Sequence, residues 1–392
     1  MVITETALKM QKELSLYPER FEIIDNKLKE WNRDEIQAIN AIIMRDGIEV
    51  FNKSYGQADP NSDSFVLTQD TIFQMASITK PVIAALIMIL SEDGELNLSD
   101  SVGTYVPEFA QDDKKDIALW HLLTHTSGIL DDDMHNKGVE FLKNELNLEM
   151  TDETWESVVK KAGEMLKFDE TDPGAIWTKI IYKQPISKPV RNVMVYSNGG
   201  YNILKNIIVK ITGEKIDKYA ARKIFTPLGM KNTYFSLPKE KWNNVIKRRE
   251  GTEGYPWYNE SGSYLHESGG GGLKSTAADI IKFCEMVRNN GRLNNARIMS
   301  PITVEGMLKN HNIENFTAYD AWALGWNYHG IKSDDMGIVR PECSVDHGGY
   351  GGSRIFIDRK NKISWAYLSV SPSELKNNVY AKFTNMVYSC FD

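Results

Sequence analysis

Three short strings follow one another along the chain: Ser77-Ile-Thr-Lys80, Tyr196-Ser-Asn198 and His347-Gly-Gly349. They set a hydroxyl nucleophile beside an amine, a phenol beside an amide, and a histidine before two glycines. Such parts can run acyl transfer on serine, with lysine and tyrosine moving the protons that histidine moves in a Ser-His-Asp enzyme. Burial favours a neutral lysine amine, which can accept the serine proton. A phenol can relay that proton to a leaving group as acid or base, given a cation nearby to lower its pKa. Alone, each string is weak. Ser-x-x-Lys recurs at Ser157, Ser236 and Ser373, and a serine at that spacing is commonly a helix cap. Ser197-Asn-Gly-Gly200 is good turn chemistry. His347 with its glycines reads equally as a strand end carrying a core histidine.

Ser77 and Lys80 lie about one helical turn apart and so share a helix face. Pro81 is tolerated only in a first turn, which starts the helix at or just before Ser77 and carries it through Val82 to Leu90. That run is apolar all round, as in a helix buried in a core. A serine at its N-terminus sits in a positive end-field that favours a developing alkoxide and oxyanion. Asn198 offers an amide to hold Lys80 or a substrate carbonyl. Gly348 and Gly349 let a substrate backbone lie flat along an edge strand, and His347 adds a hydrogen bond that depends on pH.

The elements that must position these groups follow from periodicity. Ile36 to Met44, a turn at Arg45-Asp-Gly47 and Ile48 to Tyr55 form a hairpin pattern. Ser353 to Ile357, a turn at Asp358 to Asn361 and Lys362 to Val370 repeat it. Strands at both ends with helices between predict one sheet assembled from the two termini around an inserted middle. Helical spacing marks Trp155 to Leu166, Tyr201 to Ile211 and Asp279 to Val287, the last opened by Ser275-Thr276 as possible caps. Asp169 to Arg191, with Pro173, Pro185 and Pro189, reads as an irregular connection. The four glycines Gly269 to Gly272 point to backbone in close contact with something. Trp326 and Tyr319 are candidate aromatic walls or core residues.

With 392 residues, 42% apolar and 25% charged, the chain can bury a large core. A net charge of −7 without a basic stripe argues against nucleic acid. Met1 to Arg20 lacks a signal-peptide core and Pro81 to Leu90 is too short to span a bilayer, so a cytoplasmic protein with no membrane partner is expected. Cys284, Cys343 and Cys390 share no metal-ligand spacing and read as buried or incidental thiols.

Taken together, the strings resemble the serine β-lactamase/DD-peptidase superfamily, specifically its class C-like branch of β-lactamases, D-stereospecific peptidases and amidases, and β-lactamase-fold esterases. Phe73-Gln-Met-Ala-Ser-Ile-Thr-Lys80 resembles its nucleophile segment, and Leu122-Leu-Thr-His-Thr-Ser-Gly-Ile129 a structural signature of the branch. Pro227-Leu-Gly-Met230, Gly270-Gly-Gly-Leu-Lys-Ser-Thr276 and His347-Gly-Gly-Tyr-Gly-Gly-Ser353 match further motifs, so the resemblance spans about Ile36 to Val370. It implies an α/β fold: an antiparallel sheet flanked by helices (residues 1–95 and 265–392), a mostly helical insertion (96–264), and a site in the cleft between. It also implies Ser77 as the acylated nucleophile, Lys80 and Tyr196 as the proton-transfer pair, and Asn198 as the supporting amide. The oxyanion hole would use the N–H groups of Ser77 and Tyr350. No metal or organic cofactor is implied, and His121 and His125 are read as structural.

Two departures shape the expected substrate. The third motif is His-Gly-Gly where β-lactamases of the branch carry Lys-Thr-Gly, which removes a fixed ammonium and a hydroxyl suited to a β-lactam carboxylate. Lys188 to Val195 lacks the Pro-Gly turn common before the tyrosine, so the Leu130 to Met194 connection is expected to form a differently shaped part of the substrate wall. The expected activity is a serine hydrolase for small esters or amides. A β-lactamase or D-amino-acid peptidase is the alternative, and a non-catalytic binding module on the same scaffold the remote one.

Overall fold

A computed structural model of the chain describes residues 14–62, 65–110, 112–149, 155–168, 173–314, 316–329, 336–337, 339–372 and 376–392. Ser373, residues 169–172 of the expected connection and the first thirteen residues lie outside this set. The central element is a six-stranded antiparallel sheet. Its strands are β1 (Ala38–Arg45), β2 (Ile48–Gly56), β3 (Asn327–Tyr328), β4 (Val345–Gly349), β5 (Ser353–Asp358) and β6 (Ile363–Val370). Their spatial order is β2-β1-β6-β5-β4-β3. The N-terminal hairpin therefore docks on the last strand, with Ala38 opposite Val370 and Ile43 opposite Trp365, and the sheet is built from both termini as the patterns imply.

Alternation along β6 explains why both faces are covered. Trp365 and Tyr367 join one buried cluster with Ile24, Leu28 and Phe383, from helices α1 (Pro18–Asp34) and, at the C-terminus, Lys376–Tyr388. Ala366, Leu368 and Val370 point the other way, into the main cluster, since successive strand side chains alternate in direction. On that second face lies α2 (Thr79–Glu92), in which every side chain from Thr79 to Leu90 is buried.

Further helices follow: α3 (Leu119–Leu123), α4 (Asp131–Leu146), α5 (Trp155–Met165), α6 (Pro173–Lys183), α7 (Asn198–Thr212) and α8 (Ala277–Arg288). Helix α6 corrects the expectation of an irregular connection. Pro173 is its first residue, where a missing N–H costs nothing, while Pro185 and Pro189 fall beyond its end. Helix α8 is capped by the Thr276 hydroxyl, which accepts the Asp279 N–H at 3.1 Å. Ser275 instead lies in a two-residue strand paired with Phe73. Among the described residues no helix is long and apolar enough to cross a membrane.

Candidate active site

The candidate nucleophile segment turns sharply from strand to helix. Phe73–Gln74 pairs with Lys274–Ser275, a single 3-10 turn spans Ala76–Ile78, and α2 begins at Thr79. Ala76 has φ of +46°, a left-handed conformation that costs an L-residue about 1 kcal/mol. The Thr79 hydroxyl holds the turn by donating to the Ala76 carbonyl at 2.6 Å and accepting the Leu273 N–H at 2.9 Å. Ser77 thus sits at the start of a buried helix, as its spacing from Pro81 implied.

Lys80 is fully buried, and each of its three donors has an acceptor. Its Nζ donates to Ser77 Oγ at 3.1 Å, Asn198 Oδ1 at 2.7 Å and the Gly270 carbonyl at 2.7 Å. Burial lowers its pKa to about 7, with the Asp131 carboxylate pulling the other way. Near neutral pH a large share of the amine is therefore unprotonated and able to accept a proton. The Gly270 contact accounts for one glycine of the run: a Cβ there would lie 2.9 Å from Asn198 Cβ.

Tyr196 lies beside the same ammonium, with Lys80 Nζ 4.5 Å from its ring centroid. Burial raises its pKa, a hydrogen bond with Ser77 lowers it, and Asp131 raises it further. The balance leaves a phenol rather than a resident phenolate. Lys80 is the member of this pair that titrates near neutrality.

Asn198 begins α7 and is held by a residue that the motifs did not point to. The Asp131 carboxylate, in the first turn of α4, accepts the Asn198 N–H at 2.5 Å, the Gly199 N–H at 3.0 Å and the Ser197 hydroxyl at 2.6 Å. Three unpaired donors at a helix N-terminus favour such a carboxylate. The only hint in the sequence was the acidic run Asp131-Asp-Asp133 just past the Leu122–Ile129 signature.

Strand β4 brings the third string to the site. Gly349 packs so closely on the nucleophile segment that a Cβ would lie 2.4 Å from the Met75 carbonyl oxygen. Gly348 faces the Arg354 guanidinium, 3.0 Å from where its Cβ would be. Tyr350 follows in the turn to β5, half exposed, with its ring 6.3 Å edge-on from Tyr258. His347 is buried, and burial together with Lys80 pushes its pKa down to about 3. It is neutral across the physiological range, so the expected pH-dependent hydrogen bond is corrected. Its Nδ1 pairs with the Gly348 carbonyl at 2.8 Å, and its Nε2 has no hydrogen-bond partner among the described residues.

Two further rings complete the surroundings of Tyr196. His125 lies 4.4 Å from it and Trp322 lies 6.0 Å from it, ring to ring, and Trp322 also stands 5.9 Å edge-on to His347. The aromatic ring that stands beside both Tyr196 and His347 is Trp322, neither of the two that the sequence offered. Trp326 is fully buried and stacked on Phe283, and Tyr319 is 72% exposed and has no ring contact among the described residues. Of the histidines read as structural, His121 accepts the Ala118 N–H at 3.0 Å, whereas His125 touches the candidate relay itself. The other Ser-x-x-Lys serines stand elsewhere, Ser157 on α5 and Ser236 in the loop after Phe235. Among the described residues no cluster of His, Cys, Asp and Glu could hold a metal. Cys284 and Cys390 are buried and Cys343 is exposed, all as free thiols.

Comparison with known proteins bears on the family and the fold. The Beta-lactamase family model matches residues 24–384. A Bacillus subtilis (strain 168) relative named as a penicillin-binding protein, PbpX, is 30% identical over 282 residues, 71% of this chain and 61% of its own length. An Escherichia coli (strain K12) relative named as a D-alanyl-D-alanine carboxypeptidase is 24% identical over 388 residues, 88% of this chain and 82% of its own. A family VIII carboxylesterase structure superposes with a TM-score of 0.70 at 19% identity, covering 96% of this chain and 98% of that one. The match over most of the chain places it: the chain belongs to the β-lactamase family of serine hydrolases.

Proposed function

We propose that the chain hydrolyses small esters or amides through an acyl-enzyme on Ser77. The observation that carries this reading is the buried Lys80 amine, 3.1 Å from Ser77 Oγ with a pKa near 7. Neutral Lys80 takes the Ser77 proton as Oγ attacks the substrate carbonyl. Charge develops on the carbonyl oxygen, toward which the N–H groups of Ser77 and Tyr350 are assigned as donors. Tyr196, held as a phenol, gives its proton to the leaving group and recovers one from the Lys80 ammonium. A water then attacks the acyl-enzyme by the same route in reverse. Asn198 keeps Lys80 aimed, and Gly349 lets β4 close on the segment that carries Ser77.

The neutral state of His347 favours esters and amides over β-lactams, because β4 then offers no cation to a β-lactam carboxylate. The names of the bacterial relatives favour the second reading, a D-amino-acid peptidase or β-lactamase. A cytoplasmic setting belongs to the ester and amide reading, because a cell-wall peptidase must work outside that compartment.

Intact-mass spectrometry after brief exposure to p-nitrophenyl butyrate and, separately, to a cephalosporin separates the two. Rapid ester turnover with a slow or absent cephalosporin adduct, both lost in Ser77→Ala, is expected. A cephalosporin adduct that forms and clears quickly would put the β-lactamase reading first, and an active Ser77→Ala protein would end both.

A further inference from the structure

A groove of about 790 Å³ lies along one face of α7, the helix that begins at Asn198. Asn202, Lys205, Asn206 and Val209 line it at helical spacing, and the loop residues Glu267 and Ser268 form part of the facing wall. Both walls continue along the chain into residues that hold Lys80. One turn before Asn202 on α7 is Asn198, and two residues after Ser268 is Gly270, and each of these accepts a hydrogen bond from the Lys80 ammonium.

Two donors in the groove have no acceptor among the described residues. Asn202 spends its carbonyl on the facing loop, accepting from the Ser268 hydroxyl at 2.9 Å and the Gly269 N–H at 2.8 Å, which leaves its NH2 unused. Lys205, one turn further on, is attracted by Glu267 but forms no ion pair or hydrogen bond with it. Burial holds the Lys205 ammonium below its ordinary pKa, with Glu267 opposing the shift only in part. Lysines outnumber carboxylates in the groove's lining. An amide NH2 and an ammonium three residues apart on one helix face, beside an open volume, fit a carboxylate that accepts from both.

We propose that this groove binds the carboxylate of a small organic acid, held by Asn202 and Lys205. The acid is either the far end of an acyl substrate or a separate ligand, and the chemistry of recognition is the same for both. Asn198 and Lys205 are seven residues apart, about 10 Å along the helix axis, so the probe is suberate, a straight dicarboxylate of that reach. The site does not depend on acylation, and it is tested in protein that cannot acylate.

Suberate is titrated calorimetrically into full-length Ser77→Ala protein, alone and combined with Lys205→Gln or Lys205→Arg. Binding is expected in the first, weakened about tenfold or more by Lys205→Gln, as for loss of a hydrogen bond to a charged group, and retained by Lys205→Arg. No binding to Ser77→Ala protein, or equal affinity in the Lys205→Gln protein, overturns the proposal. The source of the carboxylate is read from turnover of mono-p-nitrophenyl suberate against p-nitrophenyl octanoate by protein with Ser77 intact. A preference for the acid ester that Lys205→Gln erases places the carboxylate on the substrate. Equal turnover with suberate still bound makes the groove the site of a separate acid. Suberate binding without hydrolysis of either ester keeps the groove and removes the hydrolase reading.

Discussion

His125 holds Tyr196 from three directions. Its carbonyl accepts the Val195 N–H at 2.9 Å, its Nδ1 accepts the Ser197 N–H at 3.1 Å, and its ring lies 4.4 Å from the phenol ring between them. One residue thereby brackets the backbone on both sides of the candidate relay and supports its face. Burial, with Lys80 and His347 adding to it, keeps His125 neutral, and accepting at Nδ1 places its proton on Nε2.

His125→Ala is therefore expected to lower kcat for p-nitrophenyl butyrate by about a hundredfold, the scale of a misplacement near 1 Å, with KM changed only a few-fold. His125 has φ of +59°, and asparagine tolerates that conformation and offers an accepting oxygen, so His125→Asn should recover part of the loss. Steady-state kinetics on both variants decides it. A KM effect with kcat intact, or no rescue by asparagine, would reduce His125 to a packing role.

Gly349→Ala tests the approach of β4 to the nucleophile segment. The added methyl would meet the Met75 carbonyl oxygen at 2.4 Å, and backbone on both sides leaves no side chain to yield. Strand β4 must withdraw from Ser77, carrying Tyr350 with it. Turnover is expected to fall by about a hundredfold or more, with the circular-dichroism spectrum retained. Full activity in the alanine variant would show that β4 is not part of the site.

These relationships were unevenly legible in the sequence. Ser77, Lys80 and Pro81 announced a buried helix N-terminus because proline and apolar periodicity are local signals, and the two hairpins announced a sheet made from both ends. Helix α1 and the helix Lys376–Tyr388 went unread because their faces are half charged or interrupted by polar residues, and only packing on Trp365 and Tyr367 makes them helical partners of the sheet. Asp131 and Trp322 were invisible for another reason. They reach the site from 66 and 126 residues away from Ser197 and Tyr196 in sequence, and no spacing rule links an acid on one helix to the N-terminus of another. His125 was visible as part of a signature, but its contact with Tyr196 depends on a left-handed residue that the sequence does not mark.

His347 is expected to contribute no titration to activity between about pH 5 and 8. Its pKa of about 3 reflects burial first and the Lys80 charge second, so the imidazole is already neutral where the enzyme is assayed. His347→Gln should then lower kcat/KM by no more than about tenfold, the worth of one neutral hydrogen bond. The acid limb of the pH profile should stay in place. A limb that moves with this substitution would mean the imidazole is charged during turnover.

Asp131→Asn makes the sharpest test of the Lys80 amine. Acylation needs the amine neutral, so kcat/KM should rise with pH through about 7, the value to which burial depresses Lys80. The Asp131 charge opposes that depression, and replacing it by an amide lowers the Lys80 pKa further, moving the acid limb toward lower pH. The plateau should fall at the same time, because an asparagine cannot accept from all three of the Ser197, Asn198 and Gly199 donors that Asp131 holds. The depressed pKa carries a stability signature with a defined sign. From about pH 7 up to the ordinary lysine range the unfolded chain binds a proton that the folded chain has lost, so stability increases with pH over that window. Urea unfolding at pH 7 and pH 9 should show that increase in Ser77→Ala protein and a smaller one when Lys80→Met is added, since the buried amine is then gone. An acid limb that Asp131→Asn leaves unmoved, together with an unaltered stability increment in the Lys80→Met protein, would assign the titrating group to some residue other than Lys80.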